Sequence, residues 1–202
     1  MGTTPWNPFF WREMATIRIR PFSTILDLTR PGGEMPYKTL LLLRHAKSSW
    51  KDPQWADHDR PLNSRGRLAA QRMGRLLSDE GLTPDLVLCS TALRARETAE
   101  LVFADAPTPA TILYREDLYH AEPAQLSRIL AEVSEPAPRL LLIGHNPGLE
   151  EFLSQLTTAS YSFPTAGLAQ VQLELTAWSQ FHPAIRGELI QFWRPRELDS
   201  DR

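Results

Sequence analysis

The segment "TLLLLRHAKSSW", Thr39 to Trp50, decides how this chain folds. Its four consecutive leucines leave no polar face, and a strand of that kind is covered on both sides, as in a parallel sheet packed between helices. The run ends abruptly in Arg44 and His45. A rigid buried strand holds the residues at its end more firmly than a loop does, so the pair is expected at a functional rim.

Working outward, "DLVLC" (Asp85–Cys89) and "RLLLIG" (Arg139–Gly144) are nearly continuous apolar runs of the same type. "AQVQLEL" (Ala169–Leu175) alternates instead, which predicts a strand with one face toward water, and "ELIQFW" (Glu188–Trp193) reads as a further strand. Helical spacing lies between them. Ala69, Met73, Leu76 and Leu77 mark one helix, stopped by Gly81; Ala95, Ala99 and Val102 mark a second after Cys89. Leu126, Ile129, Leu130 and Val133 mark a third, and Leu149, Phe152, Leu153 and Leu156 a fourth after Pro147. This alternation predicts a three-layer α/β/α sandwich with a mainly parallel central sheet, mixed at its C-terminal end. No internal repeat is present, and the proline-rich joints at Pro107–Pro109 and Pro136–Pro138 are short enough to be loops.

Composition narrows the classes. The 202 residues suit one domain, and 42% apolar content fits a soluble globular chain. A net charge of -2 supplies no basic field, so a nucleic-acid partner is not expected. The single cysteine, Cys89, excludes an internal disulfide framework and fits a reducing compartment, while no run approaches the roughly 20 apolar residues of a membrane helix. A cytoplasmic monomer is the expectation.

Residues 1–34 differ from the rest. Trp6, Phe9, Phe10 and Trp11 stand among Arg12, Glu13, Arg18 and Arg20 with no sustained period, and arginines and a proline interrupt every run that would make a secretory signal. Either this is a mobile tail whose aromatics touch a partner, or it is upstream sequence outside the working protein. The second reading is preferred, because Gly32, Gly33, Glu34 and Met35 are encodable by purine-rich codons resembling a ribosome-binding site before a start codon. The working domain is then expected over residues 35–202.

Ligands of open α/β sheets bind beyond the carboxyl ends of the strands. Three predicted strands end in polar residues: Arg44 and His45; Cys89 and Ser90, with Arg94 and Arg96 following; and Gly144, His145 and Asn146. If the strands are parallel neighbours, these sets share one rim. Paired arginines present planar donor forks to a phosphoryl dianion. A neutral histidine beside it is able to attack phosphorus, and a second one to stabilise the oxygens in the transition state.

In this order, "LLLRHAKSSW", "DHDRPLNSRG", "PDLVLCSTALRARETAE" and "LLLIGHNPGLEEFL" resemble the successive signatures of the histidine phosphatase superfamily, in its phosphohistidine phosphatase (SixA-like) branch. The resemblance runs from about Met35 to the last strand. It implies a phosphoglycerate mutase-like fold and catalysis without a cofactor or metal. By matching motif, His45 resembles the phosphorylated nucleophile, Arg44 and Arg94 the phosphate clamps, and His145 the second pocket histidine. Asn146 and Ser48 are carried as further phosphate-binding candidates. The implied partner is a phosphorylated protein such as a histidine phosphotransfer domain, with small phosphate esters, or binding without turnover, as alternatives.

The match fails at the acid that protonates a leaving group. "YREDLYHAEP" offers Glu116, Asp117, His120 and Glu122 without a convincing candidate. Phosphohistidine needs such help less, because its distal ring nitrogen is protonated before the P–N bond breaks, so the gap leans toward phosphoramidates.

Other readings stand beside these. Arg94 and Arg96 point in different directions on a helix, so one reaches the pocket and Arg96 is expected at the surface or in an ion pair. Arg60 and Arg65 either shape the rim or pair with Asp57 or Asp59. Lys47, Ser48 and Ser49 either bind phosphate or serve the loop, and Trp50 and Trp55 either line a protein-docking surface or, the commoner case for aromatics, pack under the loop. "CSTALR" resembles a cysteine-phosphatase loop, but four residues rather than five separate Cys89 from Arg94, so Cys89 is expected in the core. A metal site built from His45, Asp57, His58, Asp59 and His145 is disfavoured by the adjacent arginines.

Overall fold

A computed structural model describes residues 37–105 and 111–199. The N-terminal extension, Met35 and the Pro107–Pro109 joint lie outside the described residues. Strands form at β1 (Lys38–Arg44), β2 (Leu86–Ser90), β3 (Thr111–Arg115), β4 (Arg139–Gly144), β5 (Leu168–Leu173) and β6 (Gly187–Trp193). The helices are α1 (Ser64–Asp79), α2 (Leu93–Val102), α3 (Pro123–Ala131) and α4 (Gly148–Thr157). The sheet order is β3-β2-β4-β1-β5-β6, with β3, β2, β4 and β1 parallel and the β1–β5 and β5–β6 pairs antiparallel. The sheet is therefore mixed at the predicted end.

Alternation along the three apolar strands divides the core into two layers. Leu40, Leu42, Leu86, Leu88, Leu140 and Leu142 pack with Leu126, Ile129 and Leu130 of α3 and with Leu149, Phe152 and Leu153 of α4. Their neighbours Leu41, Leu43, Val87, Cys89, Leu141 and Ile143 pack against Ala70, Met73 and Leu77 of α1 and against Ala95, Ala99 and Val102 of α2. Each fully buried leucine contributes about 1.5–3 kcal/mol. The result is the three-layer α/β/α sandwich of the phosphoglycerate mutase-like type.

Strand β3 was not legible in the sequence. It is a short edge strand whose residues are exposed or half-buried, so no apolar run or strict alternation marks it. β5 does alternate: Ala169, Val171 and Leu173 are buried, whereas Gln170 and Gln172 are half-buried. α1 is capped by the Asn63 side chain, which accepts from Gly66 N at 2.8 Å. Gly81, at φ +64, ends that helix as its position predicts.

Candidate active site

The order β2-β4-β1 brings the three polar strand ends to one rim. Arg44 lies opposite Gly144 in the parallel register, and the ladder continues one step as His45 N donates to Gly144 O at 3.0 Å. Arg94 belongs to the first turn of α2, which starts three residues after β2 ends. His145 precedes α4 by three residues. Arg44, His45, Arg94 and His145 are thereby collected from three places in the chain.

Hydrogen bonds define the state of each ring. His45 Nδ1 lies 2.8 Å from Ala46 O, an acceptor only, so this nitrogen carries the proton. Its Nε2 keeps a lone pair, toward which Arg94 Nε donates at 3.3 Å. Arg94 Nη2 donates to His145 Nδ1 at 3.3 Å, which leaves the proton on Nε2, 2.8 Å from Ser90 Oγ. The two rings stand 4.9 Å apart between centroids. Burial, reinforced by the Arg94 and Arg44 charges, lowers His45 to about 3. Burial, the neighbouring His45 and Arg94 lower His145 to about 2. Both imidazoles are neutral at neutral pH.

Arg44 donates through Nη1 to Phe163 O at 2.7 Å, while its buried Nε has no partner among the described residues. Burial lowers its pKa from the ordinary value, partly offset by Glu150. The Thr98 hydroxyl supports the pocket from behind, accepting from Ala46 N at 3.0 Å and donating to Arg94 O at 2.6 Å.

Sequence reasoning offered Asp57 as an ion-pair partner of Arg60, but missed its contact with the pocket residue Arg94. Asp57 sits in a short 3-10 turn, Asp57–Asp59, in the loop between β1 and α1. Arg94 donates to its backbone oxygen at 2.5 Å and to Oδ2 at 2.9 Å, Tyr119 OH donates to Oδ2 at 2.8 Å, and Arg60 donates to Oδ1 at 2.7 Å. Burial pushes its carboxyl up, but the bonds from Tyr119 and Arg60 and the charge of Arg94 outweigh that and hold it well below the usual carboxylate range. The motif "DHDRP" was in view, yet 37 residues separate Asp57 from Arg94, and no local pattern links them.

Several expectations are refined. Ser48 is buried and accepts from Arg60 Nη2 at 2.7 Å, and the Asn146 amide donates to Glu150 and to Phe163 O at 3.0 and 3.1 Å. These bonds brace the loops around the pocket; the unpartnered atom of Asn146 is its Oδ1, an acceptor and not a donor to phosphate. Arg60 is buried and pairs with Asp57, while Arg65 is exposed. Arg96 is exposed, the surface alternative, and lies over the Tyr114 ring at 5.2 Å. Trp50 does not pack under the loop: it is 74% exposed, with the Arg60 guanidinium 3.2 Å from its ring centroid. Cys89 faces the α1–α2 layer, and burial pushes its thiol far up, against a nucleophilic role. Among the described residues no group of three or more His, Cys, Asp or Glu side chains is placed to hold a metal ion. No described helix is long and apolar enough to cross a membrane.

Comparison with known proteins follows the same motifs. The profile of the histidine phosphatase superfamily (branch 1) matches residues 40–119. An uncharacterised chloroplastic protein of Arabidopsis thaliana is 32% identical over 186 residues, covering 86% of this chain and 85% of its own. Two solved proteins provisionally assigned as phosphohistidine phosphatase SixA share the fold. The one from Agrobacterium tumefaciens has 30% identity and TM-score 0.64, covering 78% of this chain and 99% of its own. The one from Nakamurella multipartitia has 27% identity and TM-score 0.70, covering 82% and 99%. A shorter segment is 43% identical over 78 residues to a 2,3-bisphosphoglycerate-dependent phosphoglycerate mutase of Streptomyces avermitilis, covering 37% of this chain and 30% of the mutase.

Proposed function

The chain belongs to the SixA-like branch of the histidine phosphatase superfamily, and from that premise we propose that it is a phosphatase that passes a phosphoryl group through His45, acting on phosphohistidine of a signalling or phosphotransfer protein. The observation that carries this reading is the His45 ring. Its Nδ1 proton is spent on Ala46 O, and its neutral Nε2 lone pair is aimed into a pocket shared with Arg94 and His145. Nε2 attacks phosphorus, the bond to the leaving group breaks, and water then hydrolyses the phosphohistidine on the enzyme. Arg44, Arg94 and His145 hold the equatorial oxygens. The unpartnered Arg44 Nε is a donor for which a phosphoryl oxygen is a suitable acceptor.

Similarity to proteins assigned as phosphohistidine phosphatase supports the substrate class, and a reducing, cytoplasmic setting suits the lone cysteine. Small phosphate esters are the second reading, favoured by the segment shared with phosphoglycerate mutases. A binding module without turnover is disfavoured because the nucleophile is present. The test is turnover of a phosphohistidine protein and of 4-nitrophenyl phosphate, in chelator, by wild type and His45→Ala, with trapping of an acid-labile phosphoenzyme. Activity surviving in His45→Ala, or binding of the phosphoprotein without turnover by wild type, would overturn the reading.

A further inference from the structure

Four of the five histidines in the chain meet at this pocket, and two of them, His58 and His120, have no part in the mechanism above. His58 is committed to Asp59 and Thr91 through its two ring nitrogens, both at 3.1 Å. His120 is different. Its Nε2 stands 3.6 Å from Asp57 Oδ2, and its ring lies 4.1 Å from Tyr119 and 5.8 Å from His145 between centroids. With a side chain 56% exposed, it occupies the outer, solvent side of the pocket. A leaving group that departs from the buried His45 Nε2 toward solvent would pass this side of the pocket.

The backbone holds His120 in this position. Its φ of 53 is in the left-handed region, which histidine enters more readily than most residues but still uncommonly. The next residue, Ala121, is buried, and its carbonyl oxygen packs so closely on Gly148 that a Cβ there would lie 1.9 Å away. Gly148 opens α4, three residues after His145, so the two histidine-bearing segments are locked together.

We infer that His120, held by Asp57, is the leaving-group acid of this pocket, and that it equips the site for oxygen esters as well as for phosphohistidine. The inference rests on the phosphatase reading above and supplies the acid that the motifs lacked. Of the four residues offered by "YREDLYHAEP", Asp117 is tied to Arg115 and Gln125, while His120 is the one in contact with Asp57 and His145. Asp57 itself is a poor donor, since Tyr119, Arg60 and Arg94 keep it ionised; it serves as the anion against which the His120 ring is oriented. The charged and titratable groups facing His120 are thus Asp57, Tyr119 and His145, with Arg94 and Arg60 behind Asp57.

The step balances. His45 Nε2 forms the bond to phosphorus, the P–O bond of the ester breaks with its electron pair on oxygen, and the imidazolium proton of His120 passes to that oxygen. Neutral His120 then accepts a proton from the attacking water as the P–N bond breaks and its pair returns to His45, which restores both residues.

The test compares 4-nitrophenyl phosphate, whose leaving group needs no proton, with an alkyl ester, glycerol phosphate. His120→Asn keeps a residue tolerant of the left-handed backbone. It is expected to lower kcat/KM for the alkyl ester by about 10²-fold or more, the scale of general acid catalysis, while the nitrophenyl ester falls less than about 5-fold. His120→Gly is expected to regain alkyl-ester activity when imidazole is added, which a merely structural role would not produce. Equal losses on both esters, no loss on the alkyl ester, absence of imidazole rescue, or a wild type inert toward the alkyl ester would overturn the inference while leaving His45 as nucleophile. Nitrophenyl turnover that survives in His45→Ala would instead remove the phosphatase reading, and this inference with it.

Discussion

Replacing either pocket histidine by glutamine should make the protein less sensitive to acid, although each replacement removes a hydrogen-bonding residue from the core of the site. In the unfolded chain a histidine takes a proton near 6.5; in the pocket His45 holds out to about 3 and His145 to about 2, first because of burial and then because of their positive neighbours. A folded pKa depressed in this way gives stability that is fully present above 6.5 and is lost as the pH falls toward the folded value, because only the unfolded state is binding protons. Between pH 7 and pH 5 each histidine withdraws about 2 kcal/mol, from about 1.36 kcal/mol per pH unit over the 1.5 units below 6.5. The assay is urea unfolding of wild type, His45→Gln and His145→Gln at both pH values, read as the change in unfolding free energy between them. Groups common to all three proteins cancel in that difference. The wild-type loss should exceed that of each variant by about 2 kcal/mol. Equal losses in wild type and variants would refute the claim that the folded pocket keeps these imidazoles neutral, and with it the nucleophile's lone pair.

Three further outcomes follow from the contacts. Arg94→Lys removes the forked donor that reaches His45, His145 and Asp57 together, and kcat should fall about 10²- to 10³-fold, measured with 4-nitrophenyl phosphate. Asp57→Asn removes the negative charge that competes with a phosphoryl dianion for Arg94, so inorganic phosphate should inhibit about 5- to 10-fold more tightly in steady-state assays. Cys89→Ala should leave kcat within about 2-fold while lowering stability by roughly 1 kcal/mol in denaturant titrations, since the thiol fills core space and is not a nucleophile.

Much of this architecture was readable from the chain. The leucine run at 40–43 and its counterparts at 86–89 and 140–143 are apolar on every side, and only a strand covered twice satisfies that pattern. Edge strand β3 escaped detection because its side chains are half in water and carry no such constraint. Trp50 was misplaced for a related reason: an aromatic ring is usually buried, but here the buried Arg60 guanidinium covers one face and leaves the rest exposed. Arg94 was separable from Arg96 because α-helical geometry turns residues two apart in different directions.

Sequence alone determined the layers of this protein and the residues delivered at the ends of its strands, because burial imposes periodicity and periodicity is local. Tertiary structure decided which of those residues work together. The proton on His45 Nδ1, the lone pair on Nε2, the depressed Asp57 carboxyl and the position of His120 all follow from bonds between segments tens of residues apart. Hydrogen bonding and electrostatics depend on distance in space, and only the folded chain sets those distances.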